Sequence, residues 1–319
     1  METWATAWQD ALYGEHGFYR SASGPAGHFT TATHGPTGRV LAEALLRLAT
    51  ENGLTHVVDV GAGRGELLTH LYAAQRASVG GSPTVALTGV DVVARPDGLP
   101  DDVRWLHSPG GAALPDGLNG LTDALVVAHE WLDVVPCTIA EVDDDGTLRE
   151  RLVDPTTGTE AWGDPVRGDE LTWAEKHWPT TQAETRVEIG LARDLAWFDL
   201  LSRIDNGLAL AIDYGHTAAM RPPLGSLTAY RDGHQVAPVP DGSSDITAHV
   251  AMDSLEHDDL VDQRTALRRL GIQTRTPPVT LARTDPAAYL SALEQASAAT
   301  ALTAEGGFGD FLWAFSRRG

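Results

Sequence analysis

Cysteine is nearly absent from this chain of 319 residues: Cys137 stands alone. No intrachain disulfide and no cysteine-rich zinc site can form, which fits a reducing compartment. Lysine is as scarce, with Lys176 the single example, and we read this as a compositional bias toward arginine rather than as chemistry. Positive charge is short overall. The 23 Lys and Arg face 44 Asp and Glu, a formal charge of −21, and no basic stripe interrupts the excess. Nucleic acid is therefore disfavoured as a partner, because phosphate binding needs clustered Lys and Arg. No apolar run approaches the roughly 20 residues of a membrane span. The opening METWATAWQDALYG has neither the basic head nor the apolar stretch of a secretory signal. A cytoplasmic protein without membrane insertion is expected.

What is present reads as a large α/β chain. The length exceeds the usual single domain, so one elaborated domain or two are expected. A chain of this size buries about 75% of its unfolded surface and needs no metal or disulfide for stability. Pro36, then Val40, Leu41, Ala44, Leu45 and Leu48 at helical spacing, then Gly53, mark an amphipathic helix. Beyond it HVVDV, TVALTGVD, DVRWLH, DALVVAHE and GLALAIDYG alternate with helical segments. That rhythm predicts a mostly parallel sheet with helices on both faces. Two stretches break it. Around Asp145-Gly146, residues 137–162 carry a hairpin signal. Residues 216–244, rich in Gly, Pro and Asp, predict a long lid-like loop. Phe311, Trp313 and Phe315 alternate as in a late strand. The run of acids at 143–145 is read as a solvated turn, and no metal site is expected.

The segment VVDVGAGRGEL places glycines 61, 63 and 65 between a strand and a helix, where they permit positive φ and close approach of backbone to a ligand. Such a turn alone is shared with nicotinamide and flavin enzymes. Asp59 separates the cases. A dinucleotide would set its pyrophosphate against that carboxylate and be repelled, whereas S-adenosylmethionine presents an ammonium and a sulfonium. Asp91 ends the second strand, where a carboxylate can accept from both ribose hydroxyls. The bland alternative is that both are strand-end acids of ordinary turns, and an NAD(P)-dependent oxidoreductase stays open as a competing reading.

In AHEWLDVVP, His129, Glu130 and Asp133 fall just beyond the carboxyl end of a predicted strand, the edge at which open α/β sheets bind ligands. A zinc reading fails, because the second histidine of the metalloprotease pattern is missing and Pro136 comes too soon for a long helix. Methyl transfer asks the protein to align a nucleophile and dispose of its proton. A pair of carboxylates suits a cationic nitrogen acceptor, with Glu130 and Asp133 as the catalytic candidates. A helix-start acid is the alternative for Glu130. On the next strand end Asp213 would satisfy backbone donors of the long loop and Tyr214 would wall the acceptor pocket.

Taken in order, YGEHGFY, GHFTTAT, VVDVGAGRGEL, AHEWLDVVP, AIDYG, GSLTAYRDGHQV and DITAHV resemble the MidA-type class I S-adenosylmethionine-dependent methyltransferases over nearly the whole chain. Mitochondrial members of that family methylate protein arginine and assist assembly of respiratory complex I. The resemblance implies a Rossmann-like seven-stranded fold and S-adenosylmethionine as cofactor, contacted by Asp59, Gly61, Ala62, Gly63, Gly65 and Asp91, with Phe29, Thr30 and Thr31 closing over it. It implies substrate-side roles for Glu130 and Asp133, and a protein substrate. The chain departs from the family in having His28 for Asp, Asp59 for Glu, and His129 for Asn. Four segments are expected: 1–53 covering the cofactor, 54–136 binding it, 137–182 an inserted hairpin region, and 183–319 completing the core. A non-catalytic assembly factor that binds the same cofactor is the further alternative, and the oligomeric state is left open, with a homodimer among the options.

Overall fold

The structure is a computed structural model, and it describes residues 1–20, 31–77 and 85–319. Seven strands form the central sheet: β1 (His56–Val60), β2 (Ala86–Asp91), β3 (Arg104–His107), β4 (Ala124–His129), β5 (Gly207–Asp213), β6 (Asp259–Asp262) and β7 (Leu312–Arg318). Their spatial order is β3-β2-β1-β4-β5-β7-β6, in which β7 runs antiparallel to both neighbours while the adjacent pairs from β3 to β5 are parallel. The order reverses at β1, so the crevice between β1 and β4 is the switch point of the sheet.

Strand residues alternate between two apolar layers, as a sheet covered on both faces requires. Val57, Leu87, Leu125, Val127 and Leu210 pack against α2 (Gly35–Glu51), α3 (Glu66–Ala77) and the helix Pro286–Leu302. On the other face Val58, Val60, Val126 and Ala209 pack against the helix Leu191–Ser202 through Trp197, Leu200 and Leu201. The expected helix of residues 36–53 is α2, with Pro36 in its first turn and Gly53 at φ 66° just past its end.

The inserted region is larger than one hairpin. The expected antiparallel pair is present as Thr138–Val142 with Leu148–Val153. Three further strands extend it: Glu160–Pro165, Arg186–Ile189 beyond the expected limit at 182, and Glu2–Thr3 from the amino terminus. Helix α1 (Trp4–Tyr13) lies on this second sheet and buries Trp4, Trp8 and Leu12 among Ile139, Val153 and Ile246. Residues 216–244 also differ from a plain loop. They contain Thr228–Arg231 and His234–Val236, which form a three-stranded antiparallel sheet with Asp245–Thr247. Glu188 of the inserted sheet accepts from the backbone of Ser226 and Leu227 and from the Ser226 hydroxyl, fixing the middle of the stretch.

Candidate active site

The carboxyl edge of the sheet opens into one cavity at the switch point, lined by residues from the glycine turn, the β2 and β4 ends, α1 and the strand Asp245–Thr247. The turn after β1 is built as its glycines predict. Gly61, Gly63 and Gly65 all have positive φ. A Cβ on Gly65 would come within 2.8 Å of Leu99 Cδ1, so this glycine closes the turn onto its support and lies off the cavity wall. Gly61, Ala62 and Gly63 line it.

Asp91 binds the turn directly. Its Oδ2 accepts from the Gly63 N–H at 2.8 Å and its Oδ1 from Val93 at 3.1 Å. Burial raises its pKa to about 6, against the opposing effect of those backbone donors. Asp59 is 3% exposed. Burial, then the charges of Asp91 and Glu66, push it to about 8. A pyrophosphate brought here would meet two carboxylates at once, whereas a cation would restore the charge that burial suppresses. Among the described residues, six carboxylates line the cavity (Asp59, Glu66, Asp91, Glu130, Asp133 and Asp245) against one guanidinium, Arg64. The donor set therefore fits a cationic nucleoside.

The β4 end supplies the second group. Glu130 sits at φ 52°, a strained value for a residue with a side chain, held by its N–H on the Ile212 carbonyl at 2.9 Å. Burial and the charges of Asp133 and Asp245 push its carboxyl to about 8. His129 lies beside it, Nδ1 3.3 Å from Glu130 Oε1, and burial lowers the ring to about 4, so it is neutral. Asp133 is raised by burial, opposed by Thr247 and Arg193; its Oδ2 accepts from Thr247 Oγ1 at 2.8 Å. Glu130 Oε1 and Asp133 Oδ1 are both buried without a hydrogen-bond partner among the described residues. Two orphaned carboxylate oxygens on one cavity are costly unless a donor arrives.

Asp213 and Tyr214 do not line this cavity. Asp213 Oδ2 accepts from the backbone of Leu132 and Asp133, at 3.0 and 3.1 Å, so it serves the turn after β4 rather than the long loop assigned to it from the sequence. Its carboxyl is raised by burial and by the charges of Asp133 and Glu130. Tyr214 packs edge-on against Phe311 and stacks on His249. Thr31 does line the cavity, while Phe29 and Thr30 lie outside the described residues. Sequence reasoning missed Tyr13, Tyr19 and Asp245, which also line it. Their only signal was membership of the motifs YGEHGFY and DITAHV, to which no chemistry was attached.

Residues 38–272 match the sequence profile of a family of S-adenosyl-L-methionine-dependent methyltransferases. Among solved structures, a Burkholderia thailandensis protein crystallised with S-adenosyl-homocysteine superposes with a TM-score of 0.74 at 22% identity, over 99% of this chain and 87% of that one. A native crystal structure from the same organism gives 0.73 at 23% identity, with the same coverage. Both share the fold. No curated protein matches the chain.

Proposed function

We propose, from the premise that the chain belongs to the family of S-adenosyl-L-methionine-dependent methyltransferases, that its acceptor is a cationic nitrogen, the guanidinium of a protein arginine. One observation carries this: Glu130 Oε1 and Asp133 Oδ1 are buried oxygens without a hydrogen-bond partner among the described residues, on the wall of a single acidic cavity. A guanidinium has five N–H donors in a fixed fork and is the cation best matched to a pair of carboxylates.

The bound cofactor supplies a methyl group already activated on a sulfonium. Asp59, Asp91 and the turn at 61–63 are the residues that would hold it. The acceptor nitrogen must lose a proton as it gains carbon, and guanidinium gives up protons only with difficulty. Glu130 and Asp133 orient it, and Glu130, held at the β4 end, is the group that takes the proton. An entering cation lowers the pKa of Glu130 and so converts it to the basic form. A carboxylate acceptor would be repelled by the same wall.

The test offers arginine-containing peptides and their lysine-substituted versions with isotopically labelled cofactor, and locates the added mass by fragmentation. Label on arginine is expected. Label on carboxylates or small phenols with none on arginine would remove the guanidinium reading and leave the methyltransferase intact.

A further inference from the structure

The strand Asp245–Thr247 is bonded residue by residue to the two walls it joins. The Tyr19 hydroxyl donates to Asp245 Oδ1 at 2.7 Å, Trp8 Nε1 donates to the Ile246 carbonyl at 2.9 Å, and Thr247 Oγ1 donates to Asp133 Oδ2 at 2.8 Å. One short strand thus ties the amino-terminal helix to the turn that carries the catalytic candidates. Asp245 is 5% exposed yet faces the cavity. Tyr13 and Tyr19, 5.4 Å apart between ring centroids, form the adjoining wall. Tyr13 is fixed by its hydroxyl, which donates to the Val134 carbonyl at 3.1 Å. Asp59 and Asp91 come from β1 and β2 of the central sheet, whereas Asp245 comes from the separate strand whose Thr247 bonds to Asp133.

We propose that Asp245 is a third acceptor-binding carboxylate beside Glu130 and Asp133, and that Tyr19 is the positioning residue that aims it. This rests on the reading of the acceptor as a cation. A burial cost of this size at a cavity wall makes sense for a group that meets a positive partner there. Tyr19 occupies one oxygen of Asp245 and so sets the direction the other can face. A planar cation is then met by carboxylates from two sides, with tyrosine rings beside it, a surround in which guanidinium binds better than a neutral urea of the same shape.

The experiment measures equilibrium binding of N-acetyl-argininamide, and of its neutral isostere N-acetyl-citrullinamide, to the protein saturated with S-adenosyl-homocysteine. Wild type is expected to prefer the arginine probe. Asp245→Asn should weaken that probe by roughly tenfold or more, the scale of a lost charged hydrogen bond, while citrulline binding and S-adenosyl-homocysteine affinity stay near wild type. Tyr19→Phe keeps the ring and should reduce the preference for arginine by a smaller factor, again without touching cofactor affinity. If wild type prefers arginine and both variants retain that preference in full, Asp245 is not part of the acceptor site and the cationic reading survives. A wild type that binds citrulline as well as arginine overturns the cationic reading, and this proposal with it. Loss of cofactor affinity and melting temperature in step with probe binding would show a purely structural strand and also overturn the assignment.

Discussion

Glu130 combines three features in one residue: a positive φ, a buried carboxyl pushed to about 8, and an oxygen without a hydrogen-bond partner among the described residues. Such a group is a poor base in an empty pocket at neutral pH and becomes a good one only beside a cation. Glu130→Gln keeps the shape and removes the basicity. Methyl transfer should fall at least about a hundredfold, the low end for general acid–base effects, while S-adenosyl-homocysteine affinity by calorimetry stays near wild type. Unchanged transfer would reduce Glu130 to a strained turn residue. Asp59, Asp91 and Glu130 were legible in the sequence because each lies within one residue of a strand's carboxyl end, and strand ends can be found from local pattern alone. Asp245 was not, since it meets Tyr19 across 226 residues and nothing local to either residue announces the pair. Asp213 was singled out by its strand-end place, but its partners lie on the neighbouring strand's turn and not on the long loop, a register that only the folded sheet fixes.

Among the elements, the turn after β4 depends on a buried arginine from the helix Leu191–Ser202. Arg193 is 1% exposed, and its guanidinium donates to the carbonyls of Val135, His249 and Asp133 at 3.0, 2.9 and 2.9 Å. One fork joins the turn after β4 to the segment that follows Asp245–Thr247. Arg193→Met has similar bulk but leaves three carbonyls without that donor, each costing about 1–3 kcal/mol where no water reaches. A loss of roughly 3 kcal/mol or more in urea unfolding is expected, with Arg193→Lys recovering only part of it because a single ammonium cannot span three acceptors in the fork's geometry. Full recovery by lysine would mean that charge, not the fork, is what the site needs. The elements themselves were unevenly legible. The hairpin at Asp145-Gly146 is encoded locally: Gly146 adopts φ 80° and Asp143 Oδ1 accepts from the backbone of Asp145 and Thr147. The sheet it seeds was not, because Glu2 pairs with Val153 and Thr3 with Leu152, contacts of long sequence separation. Residues 216–244 read as loop because Gly and Pro are frequent there, yet tertiary pairing with Asp245–Thr247 imposes strand structure on part of them.

At the scale of the whole molecule, the acidic cavity couples stability to pH in a direction opposite to that of ordinary salt-bridged carboxylates. Asp59, Glu130 and Asp245 are pushed to about 8 and Asp91 to about 6 in the folded protein, chiefly by burial. In the unfolded chain such acids titrate near 4. Between about pH 4 and 8 the native state therefore holds protons that the unfolded state has released. Stability must fall as pH rises through that window, by about 1.4 kcal/mol per pH unit for each proton of difference. The charge of −21 adds repulsion in the same direction. A bound cation reverses part of this, since it prefers the ionised carboxylates and displaces their protons. Four outcomes follow for thermal melts compared at about pH 6 and about pH 8.5. The free protein should melt lower at the higher pH. The stabilisation by S-adenosylmethionine should be larger there, as mass action requires of a ligand that binds more tightly. S-adenosyl-homocysteine, which lacks the sulfonium charge, should show a shallower pH dependence, and NAD should give no shift at either pH. Calorimetry in buffers of different ionisation enthalpy would register proton release on S-adenosylmethionine binding near neutral pH. A melting temperature that does not fall with pH, together with a cofactor shift of constant size, would mean that the cavity acids are already ionised in the free protein, and the link from burial to cation selection would fail at its first step.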